Sequence, residues 1–140
     1  MSSLEKVGFS ILKKYAVMTN PLYPGASAPF TIKAKRLEDG SITAVTNMKS
    51  IEAICIHKHT GTEIKKFFYD PTGETKEGYV NFHVPVDKMS ITATMSEAET
   101  DALEEGTYDM MVVLRYYDAR FEGGVRTAKY KALWFTIKKK

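Results

Sequence analysis

Regular punctuation is the feature that most constrains this chain. Asp39-Gly40, Thr60-Gly61, Asp70-Pro71-Thr72-Gly73 and Glu122-Gly123-Gly124 are turn signals, and they bound short apolar stretches. Proline at the second position and glycine at the fourth make Asp70–Gly73 a type I turn pattern. Between such signals the side chains alternate. Phe30, Ile32 and Ala34 interleave with Thr31, Lys33 and Lys35, and Met89, Ile91, Ala93 and Met95 interleave with Ser90, Thr92 and Thr94. Period-two alternation of this length is the pattern of a half-buried strand. Further strands are predicted at 42–45, 50–59, 63–69, 78–84, 108–117 and 127–137. Short strands with turns about every ten residues argue for an all-β sandwich.

One segment breaks the β rhythm. Ser96 opens S-E-A-E, in which the serine hydroxyl takes an orphan backbone N–H and Glu99 reaches back to the serine's own N–H. One short helical turn is therefore predicted over 96–104. Leu103 is its only large apolar side chain and the expected anchor to the core, and Gly106 suits a left-handed residue closing the helix. Glu97 and Glu99 complement the positive end of the turn, so they need no catalytic reading.

A chain of 140 residues fits one domain. Residues 1–27 read as an N-terminal arm or first strand plus a Pro-rich loop, and 28–140 as the sandwich. Between residues 4 and 18, Phe9, Ile11, Tyr15 and Val17 fit a strand, whereas Leu4, Val7, Ile11, Tyr15 and Met18 fit a helix. The opening residues lack the long apolar core and cleavage site of a secretion signal. No apolar run approaches a membrane span. The net charge is +3, and the lysines at 138–140 read as a solvated end, not a nucleic-acid site. A single cysteine excludes an intrachain disulfide.

Strand phase suggests a spare surface. If Tyr108, Met110, Val112 and Leu114 point inward, Met111, Val113 and Tyr117 point outward. If Leu133, Phe135 and Ile137 point inward, Tyr130, Ala132 and Trp134 point outward. A solvated face is polar at such positions, and Tyr, Trp and Met are enriched at interface cores. Met111, Val113, Tyr117, Tyr130 and Trp134 are thus a candidate contact surface for another subunit. The competing reading has the N-terminal arm covering this face within the same chain.

Residues capable of chemistry are few. Cys55, His57 and His59 share a strand parity, taken here as a semi-polar face opposite Ile54 and Ile56, and His83 lies on another strand. This spacing is no compact zinc loop, so no metal or cofactor is expected. No third group orients a Cys–His nucleophile. Gly123-Gly124 is followed by no helix, as a phosphate loop requires. No enzyme is expected. Tyr23, Tyr69, Tyr116 and Tyr117 support an alternative function, a carbohydrate-binding module stacking aromatics on sugar rings.

Thr100, Leu103, Gly106 and Tyr108, followed by an apolar strand, a glycine turn and a last strand ending with Phe135 and Ile137, form a recognisable series. It resembles the immunoglobulin-like domains of tailed-phage virion proteins, such as the N-terminal domain of baseplate upper proteins. The hairpin from Ile51 to Phe68 is similar to that family's middle hairpin. The resemblance implies an immunoglobulin-like antiparallel β-sandwich. It also implies a non-enzymatic virion component of the baseplate, tail, connector or capsid decoration. Its partners would be other virion subunits or copies of itself. Baseplate upper proteins carry this domain on longer chains, so here the resemblance implies a small stand-alone piece.

Overall fold

The computed structural model describes residues 7–12, 23–36 and 41–138, and the Asp39-Gly40 turn falls outside them. The described residues form β1 (Val7–Leu12), β2 (Ala28–Arg36), β3 (Ile42–Thr43), β4 (Ser50–His57), β5 (Glu63–Tyr69), β6 (Val80–Asn81), β7 (Ile91–Met95), α1 (Glu97–Asp101), β8 (Gly106–Tyr117) and β9 (Val125–Ile137). Two sheets pack face to face as an all-β sandwich. In the first, β2 is central, with β1 on one side and β7 and β3 in succession on the other. The second runs β6-β5-β4-β8-β9. Every pairing among the described residues is antiparallel except that of β5 with the two-residue β6. Of the two readings of the N-terminus, Val7–Leu12 is a strand, paired with β2.

The predicted strands are present, two of them cut to two residues. The strand expected over 42–45 ends at Thr43, and Val45–Asn47 turns as a short 3-10 helix with Val45 buried. The strand expected over 78–84 is only Val80–Asn81, because the chain turns at Lys76–Tyr79 and folds back over the second sheet.

The capping box forms as predicted. Glu99 N–H donates to Ser96 Oγ at 3.2 Å, and Ser96 N–H donates to Glu99 Oε1 at 2.9 Å. Lys65 of β5 holds the same carboxylate at 2.8 Å and also donates to the Thr94 carbonyl at 2.8 Å, tying this turn to the opposite sheet. Leu103 is buried, as its anchor role requires. Thr100 is buried too, and its hydroxyl oxygen accepts from Gly25 N–H at 3.2 Å, fastening the Pro-rich loop to α1.

Gly106 has a different job from the one predicted. The helix ends at Asp101, with Ala102 as a right-handed cap, so Gly106 does not close it. Gly106 opens β8 at φ +145°, and a Cβ there would lie 2.5 Å from His57 Nε2. Gly106→Ala should therefore cost about 1–3 kcal/mol in urea unfolding. Combined with His57→Ala it should cost less than the sum of the single changes, because the clash is shared.

Trp134 is the keystone of the core. The pairing of β8 with β9 shifts between Tyr108 and Asp109: Tyr108 faces Phe135, but Asp109 faces Leu133. Trp134 is the extra residue of a β-bulge, so Trp134 and Phe135 both turn inward and are buried. The indole N–H donates to the Pro29 carbonyl on β2 at 3.1 Å, bridging the sheets. Phe30 and Phe67 meet the ring edge-on, with centroids at 5.8 and 6.2 Å. Burying a Trp with its N–H satisfied combines a large apolar area with no orphaned donor.

Candidate interaction surface

The five predicted surface residues do not share one face. Tyr108, Met110, Val112 and Leu114 point inward as expected, so Met111, Val113 and Tyr117 lie on the outer face of the second sheet. Tyr117 is 52% exposed, Met111 is half-buried, and Val113 is only 6% exposed. Val113 stands between Glu52 and Lys129 in the ladder. The phase assigned to β9 does not survive the bulge. Trp134 is buried in the chain's own core and is not a surface residue. Tyr130 pairs with inward Val112, on the inner side of β9, though at the sheet edge it remains 42% exposed. Leu133, predicted inward, faces out opposite Asp109 and is 39% exposed.

Cross-strand register builds the outer face row by row. Lys66, Ile54, Met111 and Lys131 form one row, and Ile56, Asp109 and Leu133 the next. Ile54, Ile56, Met111 and Leu133 therefore make an apolar group running from β4 across β8 to the edge strand β9, flanked by Lys66 and Lys131. Ile54 and Ile56 were readable as one face. Leu133 was not, because its orientation depends on the bulge.

Two carboxylates are buried under this face. Glu52 is met by Lys76 from the folded-back loop and by Arg115 of β8, whose guanidinium donates at 2.7 Å. Burial alone would push the Glu52 carboxyl up, but the hydrogen bonds from Lys76 and Arg115 outweigh it and hold the group below its ordinary value. The Tyr79 ring lies under both Lys66 and Lys76, with centroid distances of 5.0 and 4.6 Å. Asp109 is paired with Lys131 at 3.5 Å.

Cys55 and His57 face the interior, which corrects the semi-polar exposed face expected for them. Their neighbours on β8 share that side: Cys55 pairs with buried Met110, and His57 pairs with buried Tyr108, whose ring it meets edge-on with centroids 4.9 Å apart. Burial, helped by the charge of Asp109, pushes the Cys55 thiol up to about 12. Cys55 should therefore resist alkylation at mildly alkaline pH while the chain is folded and react fully in urea, as read by intact mass. His57 borders a cleft of about 340 Å³ with Thr60, Thr62, Leu103 and Tyr108. Thr60 N–H donates to His57 Nδ1 at 3.3 Å, which leaves Nε2 as the donor towards the Glu105 carbonyl at 3.4 Å. Both ring nitrogens are thus turned to backbone groups, not to the cleft. His59 and His83 are exposed, and among the described residues no three ligating side chains come together. Of the tyrosines suited to sugar stacking, Tyr116 is buried and Tyr69 packs against the core, while Tyr23 and Tyr117 are exposed. No helix of the described residues is long and apolar enough to cross a membrane. No family model matches the chain, and no curated protein matches it.

Proposed function

We propose that this chain is a non-enzymatic docking component, a small β-sandwich that binds other protein subunits, and that its setting is the particle of a tailed phage. The observation that carries the docking reading is the outer face of the second sheet. Ile54, Ile56, Met111 and Leu133 occupy positions that an ordinary solvated sheet fills with polar groups. The phage setting rests on the series Thr100, Leu103, Gly106 and Tyr108. Each of these residues has a specific task here, and the Tyr108 hydroxyl donates to the Glu104 carbonyl at 2.6 Å. A tyrosine reaching back to backbone a few residues upstream is a device of immunoglobulin-like sandwiches.

The test is sedimentation of particles from cells producing the phage that encodes the chain. The chain should co-sediment with particles at a fixed ratio. Met111→Gln combined with Leu133→Gln should leave it folded and soluble but remove it from the particle fraction. Absence of the unaltered chain from particles would overturn the virion setting. Reproducible binding to a glycan array, lost on Tyr117→Ala, would favour the sugar-binding alternative instead.

A further inference from the structure

The second sheet ends in a long strand whose outer edge carries no partner among the described residues. β9 runs for 13 residues, and from Val125 to Leu133 all of it is exposed or half-buried. An edge strand turns every second N–H and C=O away from its neighbour, ready to pair with another chain. The charge along this edge is one-sided. From Val125 to the C-terminus the sequence holds Arg126, Lys129, Lys131 and the lysines at 138–140, and no Asp or Glu. Lys131 already shares Asp109, whereas Lys129 has no ion-pair partner among the described residues.

We propose that the edge of β9 between Thr127 and Leu133 binds an extended acidic segment of a partner protein by strand addition. The register states what that segment looks like. Thr127, Lys129, Lys131 and Leu133 lie on the outer side of the sheet, opposite Arg115, Val113, Met111 and Asp109, while Ala128, Tyr130 and Ala132 lie on the inner side. A docked strand continues both rows. It carries acidic residues beside Lys129 and Lys131, and small or apolar residues at the alternate positions. Backbone hydrogen bonds supply the attachment and the two lysines select the sign. The same lysines disfavour a second copy as the occupant. A symmetric β9–β9 pair centred between them sets lysine against lysine, and like charges directly opposite are destabilising. The Trp134 bulge marks the end of the usable edge, since bulges interrupt regular pairing.

This inference rests on the docking reading and shares Leu133 with its outer face, but the edge is made by β9 alone, so a change on β8 such as Met111→Gln lets the two fail separately. The experiment uses the purified full chain and two synthetic peptides that alternate valine with either glutamate or lysine. With the glutamate peptide, exchange of the amides over 127–133 that point away from β8 should slow about tenfold or more. The effect should fade at high salt. The lysine peptide should do nothing. Lys129→Glu, at an exposed position, should abolish protection by the glutamate peptide and confer it on the lysine peptide. Equal protection by both peptides, or none with either, would overturn the proposal. So would protection, already in the free chain, of those amides over 127–133 that point away from β8, since the edge would then be occupied by the chain itself or by a second copy. Loss of Met111→Gln from particles without loss of peptide binding would support the outer face and the edge independently, because Met111 lies on β8 and not on the edge.

Discussion

Trp134→Ala is expected to lower the unfolding free energy by about 3–5 kcal/mol, the range for a large aromatic removed from a close-packed core. For a domain of this size that corresponds to a fall in Tm of about 10 °C or more. The reason is that one side chain fills the space between both sheets. Its ring is flanked by Phe30 from one sheet and by Phe67 and Phe135 from the other, and its N–H satisfies the Pro29 carbonyl. Trp134→Phe separates the two contributions. It keeps most of the apolar volume and loses the hydrogen bond, so it should cost about 1–2 kcal/mol. Calorimetry of the three proteins reads both effects. If Trp134→Ala unfolded at the temperature of the unaltered chain, Trp134 could not be the bridge described above.

The second large effect concerns Glu52. Lys76→Met and Arg115→Met should each cost about 1 kcal/mol, because the other cation still faces the carboxylate. Together they should cost about 3–5 kcal/mol, more than their sum, because an unpaired charge is then left in a site only 3% exposed. The pH dependence should reverse as well. In the unaltered chain the Glu52 carboxyl is held below its ordinary value of 4.5. Its contribution is therefore fully present above that value and is lost as pH falls through the lower, folded-state value. In the double variant only burial remains, which raises the folded-state value. The neutral form is then preferred, and stability declines as pH rises above 4.5. Adding Glu52→Gln to the double variant should recover most of the loss at neutral pH. Urea titrations at neutral and mildly acidic pH check both statements. Failure of Glu52→Gln to rescue would mean that the cost lies in lost packing of the Lys76 and Arg115 stems.

The parts of the fold legible in the sequence are those governed by local rules. Ser96 and Glu99 announce a cap because the capping box is a contact between residues three apart. The inward phase of Tyr108, Met110, Val112 and Leu114 follows from strict alternation, and β8 keeps that alternation throughout. β9 does not. Its neighbouring aromatics Trp134 and Phe135 fit no single phase, and that conflict was the only local sign of a bulge, whose position is set by pairing with β8. Cys55 and His57 looked polar enough for an outer face. They lie inside because they continue the row of Ala53 beside inward Met110 and Tyr108, which is a property of the paired strands and not of the polarity of the single strand. Gly106 was visible as a special residue, but its constraint is the distant ring of His57, almost fifty positions earlier. The candidate surface suffered accordingly: Met111 and Tyr117 were readable from β8, whereas Leu133 required the bulge to be known.

The bulge at Trp134 also makes the length of the last strand a heritable constraint. Loss of the single codon for Leu133 would let β8 and β9 pair without interruption and set Trp134 opposite Asp109, outside the core. Loss of the codon for Trp134 would preserve every other orientation and leave an empty space between the sheets. Gain of one residue between Lys129 and Leu133 would turn at least one of the two lysines to the inner side. Substitutions at the exposed positions of β9 are tolerable one at a time, but no change of length by one residue is. Length variants of this chain should therefore collect in the turn at Glu122–Gly124 and be absent between Thr127 and Ile137.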